Sequence, residues 1–317
     1  MRIVRDWNSN LTPGGSVATI GMFDGVHRGH RVIIETVLRE ARARGLPAVV
    51  ITFDNHPRSV LPGRQAPKML TPPEYRMEVF RRLGVDIVMA LHFDMALSAT
   101  TRREFVERVL AGALSARCVI MGFNSKFGKD GRGDAEYLKE IADEFHFSVT
   151  TVEPLLMEGQ VVSSTQIRHW IEDGRLDLAA TMLGRPVSVY GPVTRGDGRG
   201  RSLGFPTANI DAGSQLTPPT GVYVGRLSWQ NTQPLSAVIN IGIRPTYHSD
   251  DTVTVEAHAL DFSGDLYGKT VELEIHRRLR EEMKFPGPDA LKEQIQRDIS
   301  QARSLVNAAE SPVKTPR

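Results

Sequence analysis

The sequence is short of cysteine, of long apolar runs and of any excess of one charge sign. Of 317 residues only Cys118 is a cysteine, so no internal disulfide can form, which fits a reducing cytosol. The longest near-continuous apolar stretches, such as Ala48–Phe53 and 118–123, are strand-sized, whereas a membrane-spanning helix needs about 18 or more apolar residues. Integral membrane function is excluded on that reading. The opening, MRIVRDWNSNLTPGG, lacks the apolar core of a signal peptide and carries charge and proline early. Lys and Arg number 39 against 37 Asp and Glu, a formal net charge of +2. That balance implies neither nucleic acid nor an acidic membrane as partner, so an anion site has to be local. No internal repeat is visible, and Trp7, Trp170 and Trp229 have no usable spacing. The expectation is a cytoplasmic enzyme or binding protein for small molecules, monomeric or weakly homo-oligomeric.

What is present divides into two halves. A chain of this length exceeds what one core usually serves, so two domains are expected. In the first half, short apolar runs at 17–23, Ala48–Phe53, 87–93, 117–122 and Ser148–Val152 alternate with amphipathic stretches at 31–44, Pro73–Leu83, 101–114 and 134–145. This alternation predicts an α/β domain with a Rossmann-like parallel sheet covered on both faces. Two further helical stretches follow, 165–173 and Leu176–Leu183. Beyond 184–186 the pattern becomes β-rich, at 222–229, 235–241, 253–262 and 270–275, with turn residues between the runs. Val271, Leu273 and Ile275 alternate with Glu272 and Glu274, the period-2 mark of a half-buried strand. A small antiparallel β-barrel is expected there, closed by an amphipathic helix over 288–305. The domains are therefore drawn as 1–184 and 185–306, with a polar, proline-containing tail over 307–317 that reads as disordered. Cys118, in a buried-strand pattern, reads as core.

The richest motif is GMFDGVHRGH, residues 21–30, between the first expected strand and the first helix. Gly21, Gly25 and Gly29 let the backbone turn and approach a bulky anion, and the helix start supplies unpaired N–H groups. His27 and His30 stand three apart and can face one side of the turn, where they would hold charge developing on a transferring phosphate. A metal site needs further ligands, which Cys118 and His56 are not obviously placed to give. Two structural histidines are the remaining alternative. The loop is neither GxGxxG nor GxxxxGK[ST].

GxFDGxHxGH resembles the signature of the HxGH nucleotidyltransferases, which attack the α-phosphate of a nucleoside triphosphate. SSTQIR, at 163–168, is similar to that superfamily's second motif. Ser163, Ser164 and Thr165 can cap a helix and donate hydroxyls to phosphate oxygens, and Arg168 can fork onto departing pyrophosphate. The resemblance implies catalytic roles for His27, His30 and Arg168, with Gly21, Phe23, Asp24, Gly25, Asn124, Ser164 and Thr165 around the nucleotide.

A second glycine-rich cationic segment, TRGDGRGRSLGFPTANI, covers 194–210. It lacks the repetition and interleaved aromatics of an RG-type nucleic-acid segment. Thr207 and Asn209 offer hard oxygens suited to Mg²⁺ bridging nucleotide phosphates. The stretch resembles the GxGRGxxLGFPTAN motif of riboflavin kinases, and the likeness continues at 221–223, 242–246, 255–262 and 279–285. In combined order the motifs are similar to those of the bacterial bifunctional riboflavin kinase/FMN adenylyltransferase family, from about 19 to about 302. That resemblance implies ATP, riboflavin and FMN as substrates with Mg²⁺. It makes Glu256 the general base on the ribityl hydroxyl. Gly196, Gly198, Gly204, Phe205 and Pro206 would enclose nucleotide, Thr207 and Asn209 hold metal, and Asp54, His56, Arg280 and Phe285 contact flavin.

Two departures from the family pattern stand out. Asn55 replaces a proline of TF-x-PHP, and Ser125 replaces an aromatic of G-x-[DN]-F-x-F-G. Either change is expected to repolarise or enlarge a pocket. A paralogue preferring CTP or a flavin analogue, a nucleotidyltransferase whose barrel only binds flavin, and a non-catalytic flavin sensor are the alternatives.

Overall fold

The computed structural model describes residues 1–63, 65–196, 198–230, 232–244 and 252–310. It divides into two compact units, Met1–Ser164 and Thr165–Arg317.

In the first unit the apolar runs pair in parallel, because each helix returns the chain to the end of the sheet where the previous strand began. Strands β1 (Arg2–Val4), β2 (Ser16–Ile20), β3 (Ala48–Phe53), β4 (Ile87–Leu91), β5 (Ala116–Gly122) and β6 (Ser148–Val152) form one sheet, ordered β1-β4-β3-β2-β5-β6. Helices α1 (Arg28–Arg44), α2 (Pro73–Leu83), α3 (Met95–Ala99), α4 (Arg102–Phe105) and α5 (Ala135–Phe145) connect them. The single helix expected over 101–114 is one α-turn at α4 followed by a π-helical segment, Val106–Ala113. Every residue of β2 and β4 is buried. The core on one side of the sheet joins Val49, Ile51, Met89, Val119 and Met121 to Leu110 and Leu114, and Cys118 is fully buried. A small ribbon, β7 (Leu156–Met157) with β8 (Gln160–Val161), precedes α6 (Ser164–Glu172).

In the second unit α7 (Leu176–Leu183) leads into β9 (Val187–Thr194), α8 (Arg199–Ser202), β10 (Ala208–Ile210), β11 (Gly221–Ser228), β12 (Leu235–Arg244), β13 (Thr252–Ala259), β14 (Thr270–Arg280) and α9 (Pro288–Glu310). The strands close an antiparallel barrel ordered β10-β13-β12-β11-β14-β9, its ends sealed by β9–β10 pairing. Alternation sends Ile239, Ile241, Val255, Ala257, Val271, Leu273 and Ile275 inward, all at most 2% exposed. On the outer face Ala302 of α9 packs with Val224 and Leu260, flanked by Val238, Leu279 and Ile299. Residues 307–310, expected to be disordered, instead continue α9; Ala308, Ala309 and Glu310 are strong helix formers. The rest of that tail, 311–317, and residues 245 and 246 of the kinase-like segment 242–246 lie outside the described residues. No described helix is long and apolar enough to cross a membrane.

Candidate active sites

The strand order of the first unit reverses at β2, with β3 and β4 to one side and β5 and β6 to the other. In an open parallel sheet, ligands bind outside the carboxyl ends of the strands at such a switch point. The 21–30 loop leaves β2 there, and the 122–128 loop carrying Asn124 and Ser125 leaves β5. The first loop turns through three left-handed residues, Phe23 (φ 49°), Gly25 (φ 85°) and Val26 (φ 39°). Two of them carry a Cβ, so the loop is strained. Burial of Phe23 and Val26, at 2% and 0% exposure, holds it. So do hydrogen bonds from Val26 N–H to the Phe23 carbonyl (3.0 Å) and from Gly25 N–H to Thr71 Oγ1 (3.0 Å).

His27 caps α1: its Nδ1 accepts from the His30 N–H at 3.2 Å. In a neutral imidazole that bond leaves the ring proton on Nε2. The two histidine rings stack at 3.6 Å between centroids, 16° from parallel, and Phe23 meets His30 edge-on at 5.1 Å. His30 Nδ1 is buried without a hydrogen-bond partner. Burial, then the neighbouring His27 and Arg76, hold the His30 pKa well below the usual imidazole value, so at neutral pH the ring is uncharged. The first turn of α1 has no acidic residue, and its leading N–H groups lack helical acceptors. A strained loop, two adjacent imidazoles and a helix start together form a site that can take an anion and donate hydrogen bonds to it.

Asp24 links this loop to its surroundings. Its carboxylate accepts from the N–H groups of Leu70 (3.0 and 3.1 Å) and Thr71 (3.1 Å). Its carbonyl accepts from Ser164 Oγ at 2.9 Å, bringing the second motif to the first. Thr165 and Arg168 follow on α6, three residues apart and so on one face of that helix.

Beyond the carboxyl ends of β3 and β4, Asp54 accepts from His92 Nδ1 at 2.8 Å and lies 3.5 Å from Arg5. His56 Nδ1 accepts from the Arg58 N–H at 3.1 Å, capping a short turn. Asn55 extends the β3–β4 ladder with its side chain. Its Nδ2 donates to the Phe93 carbonyl and its Oδ1 accepts from the Phe93 N–H, both at 2.8 Å. The amide expected to repolarise a pocket is thus committed to backbone pairing that a proline cannot offer. Asn124 is exposed, and Ser125 donates its N–H to the Gly122 carbonyl in a tight turn.

In the barrel, register places Asn209 of β10 and Asn240 of β12 directly opposite Glu256 of β13, one on each side. Directly opposed residues share a face, and all three line a cavity of about 570 Å³ on the outer face of the barrel. That volume suits a drug-sized ring system. Gly198, Phe205 and Thr207 also line it, as do Arg280, Phe285, Leu291 and Ile295. A neighbouring cavity of about 280 Å³, lined by Pro206, Leu266 and Tyr267, shares Thr207 with it. The 206–207 backbone is anchored by His258, whose Nδ1 pairs with the Pro206 carbonyl at 2.7 Å. Gly196 allows the loop to close on this row, since a Cβ there would fall 2.3 Å from Asn209 Nδ2. Gly198 (φ 71°) and Gly204 (φ 89°) turn the same loop.

Among the described residues no group of three or more His, Cys, Asp or Glu is arranged to hold a metal. Thr207 and Asn209 still fit Mg²⁺, which typically takes one or two protein oxygens plus substrate phosphates and water. Thr207 stands where the two cavities meet, and Asn209 lies beside Glu256.

Arg280 closes the cavity through a buried ion pair. Its Nε and Nη2 fork onto Asp298 of α9 at 2.8–3.1 Å, and its Nη1 donates to the Glu281 carbonyl at 2.9 Å. Gln294 also donates to Asp298, at 2.9 Å. The guanidinium, 5.8 Å from the Phe285 ring centroid, therefore orients that wall and fastens α9. Asp298→Ala leaves a cation largely buried and unpaired. Denaturant unfolding of the second unit is expected to show a loss of about 3–5 kcal/mol, with a smaller loss for Arg280→Lys.

Sequence reasoning missed Asn240, Asp298 and Arg76. A signal existed for Asn240: it is the polar member on the alternate face of an otherwise apolar strand, between buried Ile239 and Ile241. None existed for Asp298 or Arg76, whose partners lie 18 to 54 residues away.

Comparison with known proteins finds two family models along the chain. The FAD synthetase family model matches residues 9–166 and the riboflavin kinase model residues 183–306. The bifunctional riboflavin kinase/FMN adenylyltransferase of Escherichia coli (strain K12) is 36% identical over 307 residues, covering 96% of this chain and 98% of that one. Its namesake in Bacillus subtilis (strain 168) is 34% identical, covering 90% and 91%. A solved structure described as a macrolide-efflux protein from Streptococcus pneumoniae superposes with a TM-score of 0.83 at 32% identity, over 95% of this chain and 98% of that one. With both family models in order along one chain and relatives alike over nearly its whole length, the chain belongs to the bifunctional riboflavin kinase/FMN adenylyltransferase family.

Proposed function

We propose that the chain makes FMN and then FAD by two transfers in series, with the division near Gly184, at the start of the second matched region. The observation that carries the reading is the coexistence of two built phosphate sites, the strained His27/His30 loop and the Asn209–Glu256–Asn240 row.

In the barrel, riboflavin would lie in the larger cavity and the ATP phosphates toward the smaller one, meeting at Thr207. Glu256 takes the proton of the ribityl hydroxyl as its oxygen bonds to the γ-phosphorus and ADP departs. Thr207 and Asn209 would hold Mg²⁺, which would neutralise charge on the phosphates. In the first unit, a phosphate oxygen of FMN attacks the α-phosphorus of ATP and the bond to the bridging oxygen breaks, releasing pyrophosphate. No protein nucleophile is required. His27 and His30 donate N–H hydrogen bonds to oxygens whose charge grows in the transition state. Ser164, Thr165 and Arg168 would take phosphate oxygens, and Asp54 and His56 would flank the flavin. The substrates are small soluble molecules, and neither reaction calls for nucleic acid, a membrane or a second chain.

Product analysis tests this. Riboflavin with ATP and Mg²⁺ should give FMN first and then FAD with pyrophosphate, and CTP should not replace ATP in the second step. FAD appearing only when FMN is added would reduce the barrel to a flavin-holding module. Clear use of CTP would restore the altered-nucleotide reading, which rests on Ser125 once the amide of Asn55 is taken up in backbone pairing.

A further inference from the structure

Arg76, in the first turn of α2, is the bulkiest fully buried side chain among the described residues. Its Nη1 donates to the Met22 carbonyl at 2.6 Å and its Nη2 to the Phe53 carbonyl at 2.8 Å, while its Nε is buried without a partner. Arginine stays protonated in proteins, so a full positive charge is enclosed here. Among the described residues it has no ion-pair partner. Asp24, Asp54 and Glu74 favour its charge, but burial outweighs them and lowers its pKa. The Asp24 carboxylate is committed to the Leu70 and Thr71 N–H groups.

Stability is a poor reason for such a group. A buried charge costs desolvation, and here burial outweighs the carboxylates that favour it. Its position gives a different reason. Met22 belongs to the phosphate loop and Phe53 ends β3, the strand next to β2. The guanidinium therefore braces two carbonyls that help set the shape of the switch-point crevice. His30 feels it, since Arg76 is one of the charges that disfavour its imidazolium form.

We infer that Arg76 is a positioning residue for adenylyl transfer, fixing the 21–30 loop through Met22 and Phe53 and holding an enclosed positive charge that attracts nucleotide phosphates to that loop. The inference rests on placing those phosphates at the loop. It assigns Arg76 two separable effects. The charge lowers KM for ATP, and the bracing raises kcat, because misplacing a reacting group by about 1 Å can cost about 100-fold.

The test is steady-state FAD formation by the full chain from FMN and ATP, with riboflavin phosphorylation and nucleotide-free thermal unfolding measured alongside. Arg76→Met leaves the Met22 and Phe53 carbonyls without this donor, so it should unfold at a modestly lower temperature and phosphorylate riboflavin normally. In FAD formation its KM for ATP should rise about tenfold and its kcat fall about 100-fold. Arg76→Lys keeps charge without the fork, so it should recover most of KM but not kcat. Arg76→Met with KM and kcat both within about twofold of the parent overturns the inference. So does lowered thermal stability with unchanged KM, which would make Arg76 merely structural. Should Arg76→Met fail to fold, Arg76→Lys decides: a depressed kcat at near-parental KM supports the role, and parental values for both overturn it. His30→Ala separates the two levels. FAD formation surviving in His30→Ala removes the phosphate placement and the inference with it, whereas a normal Arg76→Met beside an inactive His30→Ala removes the inference alone.

Discussion

His30→Ala should abolish FAD formation, by about 1,000-fold or more in kcat, while FMN formation from riboflavin stays within about twofold. The size follows from the environment of the ring. Its Nδ1 is shut away from water without a partner, and burial keeps the imidazole uncharged. A hydrogen bond from such a group to a phosphate oxygen is made in a poorly screened setting, where it is stronger than in water. Alanine also removes the ring that stacks on His27 at 3.6 Å and closes on Phe23. His27→Ala should act less cleanly, because it deletes the cap of α1 as well as a donor. The measurement is the separate initial rates of riboflavin consumption and of FAD formation from supplied FMN. Loss of both in His30→Ala, with the fold retained, would contradict two independent sites.

Glu256→Ala should give the reverse phenotype. Riboflavin phosphorylation is expected to fall by about 100- to 10,000-fold, the range for removal of a general base, while FAD still forms from supplied FMN. Glu256 lies between Asn209 and Asn240 across three strands, so truncation also disturbs the row that would position metal and hydroxyl. Glu256→Gln isolates the base. It keeps the volume and a polar side chain in the row but cannot take a proton near neutral pH. The KM for riboflavin should then remain near the parent's while kcat drops as far as in Glu256→Ala. A Glu256→Gln variant with normal kcat would leave the carboxylate as a spacer.

Much of this was readable from the residues because it is local. Ala48–Phe53, Pro73–Leu83 and Leu176–Leu183 emerge with the boundaries that periodicity suggests. The phosphate loop falls where a glycine-rich turn after a buried strand should put it. What stayed hidden depends on distant partners. β1 is three mostly exposed residues whose strand character comes from pairing with β4. β9 contains Gly191 and Pro192, weak strand formers, and owes its strand character to pairing with β10 and β14; Gly191 is needed because a Cβ there would sit 1.9 Å from the Asp211 carbonyl. Asn55 illustrates the limit within a site. Composition marks it as a polar group near a pocket, but only the fold brings Phe93, 38 residues on, to consume both ends of its amide.

The closed barrel also has a consequence for the order of events during synthesis. β9 is the first barrel strand to leave the ribosome, and β10 can pair with one of its edges soon afterwards. Its other edge waits for β14, where Ile275 finally meets Val187. At roughly 5–20 residues per second that edge stays open on the nascent chain for about 4–18 s. The first unit is complete in sequence before this interval begins. Translation thus exposes the kinase half, rather than the adenylyltransferase half, to strand mispairing, and a chain truncated before residue 270 retains an unsealed edge permanently.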